Sequence, residues 1–218
     1  MEMEQLIKQS NLKVLFEGPS ASGKTYKTCQ IVVEVLDRGG EVMYCDTEAE
    51  GAETIVQIVK DGDYEDDVIE KLDYRRVDDY DELEGAFEDS GDYDLLVIDT
   101  LDHKHTYVLK AVTDAKRSGG ADWSEYATIY SYEKEVMERI GKPETNVICT
   151  LDPESGSDDK PKGAQTNVEG YFSVVIDLSR GAEEWQHKIR NWIGESDWVN
   201  KKHPELVEDI SSRIIERS

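Results

Sequence analysis

The octapeptide Gly18-Pro19-Ser20-Ala21-Ser22-Gly23-Lys24-Thr25 constrains the fold of this 218-residue chain more than any other feature. It follows the apolar run Leu12 to Glu17 (LKVLFE). It precedes Thr25 to Arg38 (TYKTCQIVVEVLDR), where Cys29, Val32, Val33 and Leu36 fall at helical spacing before Gly39-Gly40 ends the pattern. A strand, a turn of the form G-x-x-x-x-G-K-[ST] and a helix therefore come in that order. Glycines let consecutive N–H groups turn inward as a nest for phosphate oxygens, and the helix adds its amino-terminal dipole to the same charge. The spacing predicts a pocket for nucleoside triphosphate, with Gly18 through Thr25 around the phosphates. Lys24 is expected at the β- and γ-phosphates and the Thr25 hydroxyl on Mg²⁺.

Further strands and helices alternate along the chain. Glu41 to Cys45 reads as a strand running into Asp46-Thr47-Glu48, and Gly51 to Val59 as a helix. A short strand over Val68 to Tyr74 and a helix over Asp79 to Asp89 follow. Tyr93 to Ile98 (YDLLVI) is a buried strand ending in Asp99. Short helices are expected over 3–10 and 107–112, and a mobile loop at Lys116-Arg117-Ser118-Gly119-Gly120. Asp122 to Ile140 is a long amphipathic helix, with Asp122 and Glu125 placed for a capping box. Asn146 to Leu151 is another strand, and Asp152 to Thr166 a polar loop. Tyr171 to Leu178 and Trp185 to Trp192 are late, adjacent strands, and an amphipathic helix follows Pro204. The expected class is α/β: a mostly parallel central sheet flanked by helices and finished by an antiparallel carboxy-terminal portion. Residues 1–194 form one domain in this reading, and 195–218 a tail with a helix.

Sheets of this kind bind ligands beyond the carboxyl ends of their strands, where Gly18, Asp46, Glu48, Asp99 and Asp152 fall. Asp99, at the tip of a buried strand, is placed to hold Mg²⁺ directly or through water. Hydrolysis needs a group that orients a water near the γ-phosphate. Glu48 is the first candidate, Asp46 the competing one and Glu50 a distant third. Thr150 and Asp152 end another strand and are candidates to sense the γ-phosphate. Cys29, Cys45 and Cys149 sit far apart in apolar segments, as buried free thiols of a reducing cytoplasm would. No run reaches 18 apolar residues, so no membrane span is expected, and the amino end lacks the apolar core of a signal peptide.

Charge bears on partners. The chain carries 49 acids against 25 bases, a formal net charge of −24, and residues 61–94 alone hold 16 acids and three bases. Such a surface repels nucleic acid at low salt. At about 1 M salt the Debye length falls to roughly 3 Å and the repulsion is screened. A high-salt cytoplasm is the expectation, with a moderately acidic protein of an ordinary cytoplasm as the alternative. The few bases form small groups: Lys104 with His103 and His105, Lys116 with Arg117, and Lys160 with Lys162. These are candidates for a DNA-binding channel, or else relieve local acid repulsion. Lys188 and Arg190 alternate on a late strand and are candidates to reach a neighbouring subunit's γ-phosphate, or else belong to a solvent face.

The chain resembles the RecA-like phage nucleotide-binding proteins, an AAA-named group that includes single-strand annealing ATPases of the Sak4 type. GPSASGKT at 18–25, YCDTEAEG at 44–51, YDLLVIDT at 93–100, ADWSEYATIY at 121–130 and NVICT at 146–150 carry the resemblance, with weaker support from GYFSVVIDLSR at 170–180. It implies a RecA-type core, ATP and Mg²⁺ as ligands, ATP hydrolysis, and assembly into a homo-oligomeric ring or filament. It further implies single-stranded DNA as a partner during replication or recombination of a virus or mobile element, here one of a haloarchaeal, high-salt host. By matched position it makes Lys24 and Thr25 the phosphate and Mg²⁺ ligands, Asp99 the second metal-side acid and Glu48 the catalytic glutamate. Lys188 or Arg190 becomes the residue donated across a subunit boundary. An ATPase motor or assembly factor acting on protein or duplex DNA is the alternative function, and a nucleotide-gated scaffold without turnover is another.

Overall fold

Strands that are apolar at nearly every position belong in the middle of a sheet covered on both faces. The computed structural model, which describes residues 11–65, 67–103, 123–141, 145–152, 168–180, 185–192 and 205–217, places them there. β1 (Lys13–Glu17), β2 (Val42–Asp46), β4 (Leu95–Asp99) and β5 (Asn146–Leu151) are buried almost throughout. With β3 (Leu72–Arg76), β6 (Val174–Arg180) and β7 (Trp185–Trp192) they form one seven-stranded sheet in the order β3-β2-β4-β5-β1-β6-β7. Every neighbouring pair is parallel except β6 and β7. This is the mixed sheet with an antiparallel carboxy-terminal pair that the alternation of elements implied.

The period-two alternation of strand side chains divides the core into two layers. Val14, Phe16, Tyr44, Leu95 and Val97 face α1 (Lys24–Asp37) and α2 (Gly51–Asp61). Leu15, Met43, Cys45, Leu96, Ile98 and Cys149 face α3 (Tyr80–Asp89) and α4 (Trp123–Gly141). The last helix, α5 (Leu206–Arg217), adds Leu206, Ile210 and Ile214 to the α1 layer, each no more than 2% exposed. Arg38, just past α1, donates to the Ser212 hydroxyl at 2.9 Å, and Asn146 at the start of β5 donates to the Ile214 carbonyl at 3.4 Å. The carboxy-terminal helix is thus part of the main core. All three cysteines are buried and free.

Two strand starts differ most from the sequence expectation. Val68–Lys71 is a 3₁₀ turn, and the strand begins only at Leu72, where β2 offers a partner, Val42. Val168–Tyr171 is likewise a 3₁₀ turn and β6 starts at Val174, opposite Val14 of β1. Pairing partners, which a local pattern does not contain, decide both starts. The acid-rich stretch folds because its carboxylates serve as caps. Asp79 accepts the Glu82 amide at 3.0 Å at the amino end of α3, while Glu82 accepts the Asp78 amide at 2.7 Å. The expected helices over 3–10 and 107–112, the loop at 116–120, the Asp122 cap and most of the 152–166 loop lie outside the described residues.

One buried base lies at the opposite end of β1 from the Gly18–Thr25 loop. Lys13 is 7% exposed and donates to the Thr145 carbonyl, and burial pulls its ammonium down to about 8. A base whose folded pKa lies below its unfolded value holds fewer protons folded than unfolded between the two, so its contribution to stability rises with pH across that window. Burial pushes the Cys29 and Cys45 thiols up to about 12, which works the other way above pH 9, so the effect shows in a difference. Between pH 7.5 and 9.5 the stability gap between Lys13→Met and the parent protein is expected to move by about 2 kcal/mol in the parent's favour. Chemical denaturation across that range measures it. A gap independent of pH contradicts a lowered Lys13.

Candidate functional site

Parallel pairing brings the ends of β1, β2, β4 and β5 to the same rim, with Asp46 opposite Asp99 in register and Glu17 opposite Leu151. The loop leaving β1 is tied to that rim. The Gly18 amide donates to the Leu151 carbonyl at 3.2 Å, and the Ser22 amide closes a turn on Pro19 at 3.1 Å. A side chain at Gly18 has no room, since its Cβ would stand 2.4 Å from the Leu178 carbonyl oxygen of β6. Gly23, at φ 89, takes the left-handed conformation that turns the chain into α1. Loop and helix start therefore have the geometry expected of a phosphate nest.

A cleft of about 940 Å³ opens above this loop. Lys24, Thr25, Glu48, Asp99 and Thr150 all line it, as do Ser20 to Gly23. The Lys24 ammonium donates to the loop's own carbonyls, Gly18 at 2.7 Å and Pro19 at 3.1 Å. Ser22 Oγ is buried with no hydrogen-bond partner among the described residues. A buried hydroxyl left unsatisfied inside a phosphate-shaped loop fits an anion that completes it.

Asp99 is 4% exposed, and its partners among the described residues are hydroxyls. Tyr44 donates to one oxygen at 2.6 Å, Thr150 donates to the other, and Thr25 is a third partner. Burial raises its pKa, the neighbouring Asp46 charge adds to the rise, and the hydroxyls oppose it. Thr25 beside Asp99 is the pair that fits a hard cation such as Mg²⁺, which takes oxygen ligands from one or two protein groups plus phosphates. Thr150 serves this arrangement through its bond to Asp99, and its hydroxyl is committed there.

Glu48 is exposed at the cleft wall, whereas Asp46 is 1% exposed below it. Asp46 accepts from the Glu48, Ala49 and Gly51 amides and from Tyr74. The competing candidate base is therefore engaged inside the turn that presents Glu48. Glu50 and Asp152 also line the cleft. The Asp152 amide donates to the Asp102 carboxylate at 3.1 Å.

Several contributors carry no signal in the local sequence. Tyr44 and Tyr74 reach the two strand-tip carboxylates because they stand opposite each other across β2 and β3, with rings stacked at 5.9 Å. Gly51 starts α2 directly against Tyr44, where a Cβ would lie 2.6 Å from the ring. Arg76, at the tip of β3, also lines the cleft and is ion-paired with Asp78 at 2.9 Å. Period-two alternation identifies such tips only once the strand order is known.

Of the remaining candidates, Lys188 has a described side chain, and it does not line this cleft. Lys188 is exposed on β7, the edge strand opposite β3, across from Asp177. A register shift between Val175 and Ile176 leaves Arg190 without an opposing residue, so alternation cannot be carried from Lys188 through it. The Arg190 side chain lies outside the described residues, as do Lys104, Lys116, Arg117, Lys160 and Lys162.

No protein-family model matches the chain, and no curated protein matches it in sequence. Solved structures do resemble it. The RadB recombinase crystal structure is 18% identical, with 84% of this chain and 82% of that one covered and a TM-score of 0.56. The flagellar accessory protein FlaH from Methanocaldococcus jannaschii is 15% identical, with 88% and 86% covered and a TM-score of 0.50. At such identities the likeness is one of fold, and the fold is RecA-like.

Proposed function

We propose that this RecA-like chain is a Mg²⁺-dependent ATPase whose cycle of nucleotide binding and hydrolysis acts on single-stranded DNA. The observation that carries the ATPase reading is the convergence of Lys24, Thr25, Asp99 and Glu48 on one cleft above a glycine-turned loop. In this reading the loop amides and the α1 dipole hold the phosphates. The Lys24 ammonium exchanges its two loop carbonyls for phosphate oxygens. Thr25 and Asp99 would hold Mg²⁺, which supplies charge neutralisation on the phosphate oxygens when bound. Glu48 holds a water in line with the terminal phosphorus and takes its proton as the new P–O bond forms and the bond to the β–γ bridging oxygen breaks, releasing ADP and phosphate.

The DNA partner is supported by the fold likeness to a recombinase, and homo-oligomeric assembly by the exposed Lys188 on a sheet edge. A second reading, an assembly factor acting on protein, is favoured by the likeness to a flagellar accessory protein and by a net charge of −24, which disfavours nucleic acid at low salt. Turnover measured from low salt to molar KCl, with and without single-stranded DNA and with particle mass followed in the same buffers, separates the two. Single strands are expected to raise turnover and mass together at high salt. Turnover indifferent to single strands at every salt concentration removes DNA and favours the protein partner. A protein that binds no triphosphate under any of these conditions removes the ATPase reading itself.

A further inference from the structure

Asp46 uses its carboxylate fully. Oδ1 accepts the Glu48 amide at 2.8 Å and the Ala49 amide at 2.6 Å. Oδ2 accepts the Gly51 amide at 2.7 Å and the Tyr74 hydroxyl at 2.6 Å. An ionised carboxylate offers about four lone-pair sites, so these donors engage it completely. Three of the donors are amides of the turn that carries Glu48. Within that turn Ala49 sits at φ 67, a conformation that side chains other than glycine rarely take. Strain of that kind persists only where the surroundings over-determine it, and the amide bonds to Asp46 supply that determination. The fourth donor comes from another strand. Tyr74 belongs to β3, one of the two edge strands of the sheet, and burial with the Asp46 hydrogen bond holds its hydroxyl protonated well above its ordinary range. Its ring stacks on Tyr44 with an interplanar angle of 17°.

We propose that Asp46 and Tyr74 are positioning residues for Glu48: together they lock the 46–51 turn so that the Glu48 carboxylate is held over the cleft. The inference rests on the reading of Glu48 as the water-orienting acid. The edge strand β3 thereby becomes part of the hydrolytic apparatus. A misplacement of about 1 Å in a group that orients a reactant can cost on the order of a hundredfold in rate. Loss of one of four bonds is a smaller disturbance than that.

Tyr74→Phe in the full chain keeps the ring stack and removes only the hydroxyl. It is expected to lower kcat for ATP about tenfold and leave KM unchanged. In a Glu48→Gln background, where no base remains to be positioned, the same change is expected to have no further effect on kcat. Asp46→Asn turns an amide N–H₂ toward donors and is expected to lower kcat more than Tyr74→Phe does. Thermal melts of each variant separate positioning from unfolding, and backbone amide exchange at 48–51 is expected to quicken in Tyr74→Phe. The inference is overturned if Tyr74→Phe keeps the parent kcat, or lowers it equally with and without Glu48. If Glu48→Gln itself keeps the parent turnover, the base assignment falls and takes this inference with it. If Glu48→Gln loses turnover while Tyr74→Phe keeps it, only the present inference fails.

Discussion

Replacing Glu48 by glutamine is expected to reduce ATP turnover by roughly a hundred- to ten-thousandfold while ATP binding is retained, the range over which a positioned acid–base group contributes. The asymmetry follows from where Glu48 sits. It lines the cleft wall from the turn after β2, whereas the proposed phosphate contacts come from Gly18 to Thr25 on the loop after β1. Glutamine keeps the size of the side chain and its polarity, so the turn held by Asp46 has no reason to move. What is lost is a carboxylate to fix the water and receive its proton. Single-turnover hydrolysis beside equilibrium binding of a fluorescent ATP analogue measures both sides. Unchanged turnover would assign the chemistry elsewhere or leave a nucleotide-gated scaffold. A parallel loss of binding would mean that Glu48 supports the loop and not the reaction.

The second large effect concerns stability. A chain ending at Glu205 lacks α5 and is expected not to fold cooperatively. Leu206, Ile210 and Ile214 are almost wholly buried in the layer that also holds α1. Fully burying such side chains contributes about 1.5–3 kcal/mol each, so the three together represent roughly 5–9 kcal/mol. Domains of this size are stable by only about 5–15 kcal/mol in all. The deletion also uncovers the back of α1, the helix whose amino end forms part of the proposed phosphate site. Urea unfolding followed by circular dichroism measures the effect. An unchanged midpoint would show that the helix is dispensable for folding. Ile210→Ala, expected to cost about 2–5 kcal/mol, gives a graded version of the same measurement.

Much of this architecture is legible in the sequence because local pattern and tertiary place agree. LKVLFE and YDLLVID are built on the continuous apolar runs VLF and LLVI, and such runs are buried on both faces in a parallel sheet. Acids at their ends fall on the rim because side chains beyond a buried strand have only the rim to occupy. Gly18 to Thr25, Glu48 and Asp99 can therefore be picked out from residue order alone. Properties of pairs of segments cannot. That Tyr74 stands opposite Tyr44 depends on β3 docking in register on β2. That Asp46 is consumed by its own turn depends on the backbone conformation of Ala49. The amphipathic stripe of α5 is plain in the sequence, but its partner, α1, is more than 160 positions away. The bulge opposite Val175 and Ile176 has no local signature, so alternation alone does not carry past Lys188 there.

β1 is hydrogen-bonded along both flanks, by β5 on one side and β6 on the other. A loop hung from so well-braced a strand behaves as an anvil: it stays still while whatever presses on it changes. The sheet margins are held differently: among the described residues β3 pairs with β2 alone and β7 with β6 alone. If a triphosphate is broken down in the cleft as proposed, the resulting displacement is therefore expected at those two margins before it is expected at β1.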